Sequence, residues 1–308
     1  MFIRTLAQKI KGFVCKPILS SVISGLIVAL PFGYMGYILI HTWGQMASYE
    51  WRIDYCQIAW AFIYYSLSLA LALLGWGLAI SRLTGIRDPR KHIKYYIYTN
   101  LLRRLPAPLL YLFGRVYLYE REGIARSAIM TISLLEWILI VLSGIIVYLL
   151  TMPFLPSPLN LHSPWFLLLI LIVIASTLLL HPRVIRAILC LLGKRELVFS
   201  FGYIEILVWL VVYSLVWIGG GLMLYAAINS LYTLPLARLP TVIGAWVISG
   251  LVTTVVFATS AGFGLKEFTL SFLLSHLMPS PLAIIVALLT RVYLVSFEFF
   301  WGMVALKL

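Results

Sequence analysis

Between Ser127 and Leu149 stand 23 residues with a single charged side chain, Glu136. At about 1.5 Å per residue a helix of that length reaches roughly 34 Å, enough to cross a hydrocarbon core of about 30 Å. Such a run has few structural options, because backbone in lipid must satisfy its own hydrogen bonds, and only helices and closed barrels do so. The run recurs. Comparable stretches cover 19–40, 57–80, 165–180, 203–227 and 281–306, so six helices are predicted to span. With 63% hydrophobic and 11% charged residues and a mean hydropathy of +1.04, the 308-residue chain is excluded from the soluble globular class. It reads as one all-α polytopic membrane domain.

The formal charge of +13 would raise the question of nucleic acid in a soluble protein. Here it reads as positive-inside topology with affinity for anionic lipid. Of the 23 basic residues, all but Arg52, Arg238, Lys266 and Arg291 fall on segments predicted to be cytoplasmic. The largest of these segments is Ser81–Arg126. Six full spans then put both termini in the cytoplasm, and the basic start at residues 1–17 reads as a retained signal anchor in the inner cell membrane. Cys15, Cys56 and Cys190 are far apart and form no disulfide framework, and the five histidines show no ligand spacing. No metal or cofactor is expected. There is no nucleotide-binding loop, so ATP is not the direct driver.

Two stretches are apolar yet too short-segmented to cross. Ile93–Arg104 has 12 residues and Ala107–Glu122 has 16, with Leu105-Pro106-Ala107-Pro108 breaking the helix between them. They are read as a re-entrant hairpin entered from the cytoplasm, with a hairpin lying flat on the membrane as the alternative. Later, Thr241–Thr259, the break Ser260–Gly264 and the short run Leu265–Met278 are read as a second re-entrant hairpin. A plain crossing by 241–259 is the alternative there. Residues 1–150 and 164–308 thus repeat one order: span, span, broken hairpin, span. An odd number of spans inverts the second copy, which gives an inverted repeat with a site expected near mid-membrane.

Charged side chains at membrane depth are functional candidates. Arg103, Arg104 and Arg115 flank the first break, and guanidinium binds phosphate through two parallel hydrogen bonds. Glu136 shares a helix face with Arg126, Ser133 and Ser143. Lys266 and Glu267 follow the glycines of the second break, and Arg291 and Glu298 lie seven apart on the last span. Several of these have plainer readings. Arg291 and Glu298 can pair with one another or with Glu136, Arg121 and Arg126 can snorkel, Glu205 suits a helix start, and the Trp and Tyr residues read mostly as interfacial anchors or lipid-facing packing.

RRLPAPLLYLFGR (103–115), SLLEW (133–137), HPRVIRAIL (181–189) and SAGFGLKEFTLSFLL (260–274) carry a resemblance. The chain resembles the flippase-like transmembrane region of lysylphosphatidylglycerol synthases, as a stand-alone member without the synthase domain. Asn100, Leu105-Pro106, Gly114-Arg115, Gly262, Gly264 and Glu267 match the family's motifs, whereas Ser260-Ala261 and Lys266 depart from them. The resemblance implies lipid translocation with a headgroup cavity between the halves. The expected substrate is an anionic phospholipid or a polyprenyl-phosphate-linked glycolipid, held by Asn100, Arg103, Arg104, Arg115, Glu136, Lys266, Glu267, Arg291 and Glu298. Two alternatives stand beside it. One is a scaffold recruiting a soluble transferase. The other is a membrane enzyme acting on a lipid phosphate through Glu136 or Glu267. A homo-oligomer is left open.

Overall fold

The computed structural model describes residues 33–42, 52–85, 88–102, 110–154, 170–171, 202–256 and 262–307. Most of the predicted spans 19–40 and 165–180, together with Arg103, Arg104, the 105–108 break and Ser260-Ala261, lie outside the described residues.

Helix α1 (Tyr55–Thr84) starts where the Asp54 carboxylate accepts from the Cys56 and Gln57 amides, at 2.9 and 3.3 Å, and ends at Gly85 with φ +73. Helix α2 (Pro89–Leu102) starts four residues before the predicted Ile93. Asp88 explains the difference, since its carboxylate accepts from the Arg90 and Lys91 amides and Pro89 tolerates the first helical position. Helix α3 (Leu110–Glu120) follows. With 14 and 11 residues, α2 and α3 reach roughly 21 and 17 Å, well short of a crossing. The remaining helices are α4 (Arg126–Thr151), α5 (Tyr203–Asn229), α6 (Leu239–Val256), α7 (Gly262–Leu274) and α8 (Ser280–Leu306).

No strand occurs among the described residues. Among the described residues five helices, α1, α4, α5, α6 and α8, are long and apolar enough to cross a membrane. The predicted spans 57–80, 127–149, 203–227 and 281–306 coincide with four of them. The fifth falls on the stretch for which two readings stand. With 18 residues, or roughly 27 Å, α6 has the length of a crossing on its own, which is the alternative for 241–259. The 13 residues of α7 do not reach that length.

Specific contacts fix the helix directions. Helices α1 and α5 run antiparallel, joined at one end by the Asp54 amide on the Ser230 carbonyl (2.9 Å) and at the other by Arg82 on Glu205 (2.9 Å). Glu205 also accepts from the Gly202 amide, as a carboxylate at a helix start should. Helix α2 turns back along α1, with Ser81 beside His92 and Trp76 beside Tyr96. Helix α8 runs antiparallel to α2, where the Tyr98 hydroxyl donates to the Ala305 carbonyl and Leu101 meets Gly302. Helix α4 runs alongside α5 in the same direction, through Tyr213 on Glu136 and Trp217 on the Ile140 carbonyl. It runs antiparallel to α6, through Thr241 on the Phe154 carbonyl and Leu251 against Gly144.

Pairing α1–α4 with α5–α8 in order exposes a regularity. Each extensively packed helix pair has a packed counterpart: α1·α2 with α5·α6, α2·α3 with α6·α7, α3·α4 with α7·α8, α4·α6 with α8·α2, α4·α5 with α8·α1, and α1·α4 with α5·α8. The pair α1·α5 maps onto itself. The directions above also make α1, α2 and α4 run opposite to α5, α6 and α8 respectively.

The run Gly219-Gly220-Gly221 lets α5 approach both neighbours, as its sequence suggested. A Cβ there would sit 2.1 Å from Ser68 Oγ, 2.2 Å from Trp246 Nε1 and 2.8 Å from Ile243 Cα, respectively.

The open ends of α2 and α3 are tied together. Lys91 Nζ donates to Glu122 Oε2 at 2.6 Å and the Tyr95 hydroxyl to Glu122 Oε1 at 2.8 Å, so the two helices form an antiparallel hairpin. The hydrogen bond from Lys91, with that from Tyr95, holds the Glu122 carboxyl below its ordinary value, and the same bond raises Lys91. A lowered carboxyl stabilises the fold above its unfolded value, and that contribution fades as pH falls through the folded value. Glu122→Gln is therefore expected to lower the melting temperature slightly near neutral pH. The difference from wild type should vanish on acidification below about 4, the ordinary carboxylate range. Melting curves of the pair across pH check this.

Candidate functional site: a cavity between the two halves

Polar side chains inside a membrane protein must find partners within it. The face of α4 predicted from spacing does so, since Ser133, Glu136 and Ser143 are all buried while Arg126 stays exposed and pairs with Glu120 at 2.7 Å. Glu136 lies nearly three turns inside α4 and meets Arg115 from α3. One Glu136 oxygen accepts from Arg115 Nη1, and the other accepts from the Tyr96 and Tyr213 hydroxyls at 3.4 and 3.3 Å. Arg115 Nε donates to Thr99 Oγ1 at 3.3 Å. The guanidinium carbon sits 4.0 Å from the Trp76 ring centre, 4.8 Å from Tyr96 and 5.5 Å from Tyr111. Aromatic faces attract such a cation, more so when it is desolvated. The two side chains are only 1% and 4% exposed, so protein and not lipid surrounds the pair.

A second charged pair joins α7 to α8. Arg291 Nη1 donates to Glu267 Oε1 at 2.6 Å, with Arg291 25% and Glu267 6% exposed. Arg291 thus bonds across helices to a partner that the spacing on its own helix does not reveal. Beside it, Lys266 holds its ammonium 3.6 Å from the Trp246 ring centre. At the start of α7, Gly264 has φ +85, a left-handed conformation that glycine adopts without the cost a Cβ would add.

A cavity of about 340 Å³ lies between these groups, and all eight helices contribute to its wall. That volume falls in the usual range for small-molecule sites, about 300–1,000 Å³. Three predicted residues line it directly: Asn100 from α2, Lys266 from α7 and Glu298 from α8. Much of the remaining wall is aromatic, including Tyr65, Trp137, Trp217 and Trp246. Tyr96, Tyr111 and Tyr213 also line it, and each of them touches Arg115 or Glu136 from the cavity side. The first ion pair therefore sits directly behind the wall.

This geometry redistributes the expected roles. Arg115 is neutralised by Glu136 and covered by rings, so it presents no open fork to a phosphate. Lys266 is the cation that reaches the cavity among the described residues. Glu136 and Glu267, the two carboxylates that an enzyme acting on a lipid phosphate would need, are each engaged by an arginine. Trp76, Thr99, Tyr96, Tyr213 and Trp246 build the site although their sequence context marks none of them. Tyr213 carries the clearest available signal, a phenol placed well inside an apolar span, where its hydroxyl has to find a partner. Compared with protein-family models, with curated proteins and with solved structures, the chain matches none.

Proposed function

We propose that the chain is a membrane lipid transporter. It moves an anionic phospholipid or a polyprenyl-phosphate-linked glycolipid between leaflets, with the headgroup in the central cavity and the tails in the bilayer. In this reading the two halves are inverted repeats, α2 and α3 form a re-entrant hairpin, and both termini lie on the cytoplasmic side of the cell membrane. The opposite directions of counterpart helices and the matched packing of the two halves support the repeat. The half-length of α2 and α3, closed at one end by the charged Lys91–Glu122 link, supports the re-entrant hairpin.

One observation carries the functional reading. The cavity draws its wall from both halves and combines a lysine, a carboxylate and an amide with aromatic faces, at the junction where an inverted-repeat transporter binds its cargo. Lys266 supplies attraction for a phosphate, while the rings supply a surface for the less polar parts of a headgroup.

The test uses the protein reconstituted in vesicles containing a labelled anionic phospholipid. Wild type is expected to speed headgroup movement well above protein-free vesicles. Val216→Trp, which fills the cavity, should slow it by at least about tenfold, a barrier change of about 1.4 kcal/mol. Lys266→Gln should slow an anionic headgroup more than a zwitterionic one. A wild-type rate equal to that of empty vesicles, or a Val216→Trp protein that works normally, overturns the proposal.

A further inference from the structure

The two ion pairs are counterparts in the two halves. Counting from the helix starts, Arg115 is the sixth residue of α3 and Glu267 the sixth of α7. Glu136 is the eleventh residue of α4 and Arg291 the twelfth of α8. Each pair ties the second arm of a broken helix pair to the long helix that follows, and the charges are reversed between the halves. The short arm carries the cation in the first half and the anion in the second.

The counterparts differ in closure. Arg115 and Glu136 are almost fully enclosed, whereas Arg291 is a quarter exposed. Each short arm also keeps one buried charged-group atom without a hydrogen-bond partner among the described residues, Arg115 Nη2 and Glu267 Oε2. Unfilled positions on buried charged groups are costly, and they suit groups that change partners.

Separated charges are tolerated only where water reaches them, so parting a pair and wetting its half of the protein are one event. Wetting both halves together would open a continuous path through the membrane, and sealing both would shut the cavity. We infer that Arg115–Glu136 and Glu267–Arg291 are reciprocal latches, one sealed while the other is loosened, and that exchanging these states moves the mouth of the cavity from one side to the other. The inference rests on the transport reading above. In the described arrangement both pairs are made, the first enclosed and the second with Arg291 a quarter exposed, so exchange begins from a state in which both latches hold.

Thiol labelling in lipid nanodiscs, where both faces are accessible, tests this. The background is the full chain with Cys15, Cys56 and Cys190 changed to Ser. Single cysteines are placed by Ser133→Cys, one turn before Glu136, and by Ser271→Cys, one turn after Glu267. Both serines are buried. The readout is the rate of reaction with a charged maleimide. Adding Glu136→Gln should speed labelling at 133 by about tenfold and slow it at 271 several-fold, as a shift between two populations requires. Adding Arg291→Gln should do the reverse. If Glu136→Gln fails to give a folded protein, Arg291→Gln carries the test alone with the same expected signs, since its side chain is already partly exposed. A change confined to the neighbouring cysteine, or the same direction at both positions, overturns the latch. No lipid movement enters this readout. Reciprocal labelling in a protein that moves no lipid would therefore keep the latch and remove the lipid substrate, and lipid movement without reciprocity would remove the latch alone.

Discussion

Glu136→Leu is expected to lower stability by about 3–5 kcal/mol, because it leaves the Arg115 guanidinium buried without its counter-charge. The expectation follows from the enclosure of the pair, 1% and 4% exposed. The surrounding contacts do not rescue it. Thr99 accepts one N–H at 3.3 Å, and the rings of Trp76, Tyr96 and Tyr111 offer only partial compensation for a full charge. Arg115→Met should cost a similar amount for the opposite reason, since it strands a carboxylate whose other contacts are two long hydroxyl bonds. The double variant Arg115→Met with Glu136→Leu should recover most of the loss, because an apolar pair of similar shape needs no desolvation of charge. Thermal unfolding of the four proteins in one detergent gives the coupling. A double variant as unstable as the sum of the singles would mean that the pair does not act as a unit.

Gly221→Ala is expected to cost about 1–3 kcal/mol, through overpacking. Its Cβ would lie 2.6 Å from Ile243 Cγ1 and 2.8 Å from Ile243 Cα, so a backbone and not a flexible side-chain tip must yield. Helices in a membrane associate through close packing, because lipid tails solvate apolar side chains as well as another helix does. Separating α5 from α6 therefore gives up contacts that no hydrophobic gain replaces. Gly77→Ala supplies the contrast. No described residue lies within 4 Å of a Cβ at Gly77, so that substitution should be neutral, or stabilising by up to about 1 kcal/mol through helix propensity. Equal melting temperatures for the two variants would show that the α5–α6 contact does not limit stability.

The long helices and the half-length pair were legible from the sequence because bilayer thickness makes length itself informative. The runs at 57–80, 127–149, 203–227 and 281–306 reappear as α1, α4, α5 and α8. The Gly219-Gly220-Gly221 run pointed correctly to close packing. Which way a charged side chain turns was not. Arg115 beside a proline break suggested an exposed fork for phosphate, but its guanidinium folds back onto a carboxylate 21 residues later and three rings. In water an apolar stripe marks the buried side of a helix. In lipid both sides are apolar, so Trp76 and Trp246 carry no mark separating a core position from a lipid-facing one. For the same reason the site had to be sought through its charges, and the aromatic residues that shape it stayed hidden. The apolar helix read at 241–259 reappears as α6, and its 18 residues suit the plain crossing that stood beside the hairpin reading.

The most direct measurement is a structure of the protein in nanodiscs rich in an anionic phospholipid. A headgroup is expected inside the cavity, its phosphate within hydrogen-bond reach of Lys266 Nζ, with Trp246 on one side, Asn100 and Glu298 on the other, and Arg115 still paired behind Tyr96. Headgroups found only around the outer surface, with the space between the halves dry or filled by side chains, would contradict the idea that the cavity is the route for lipid.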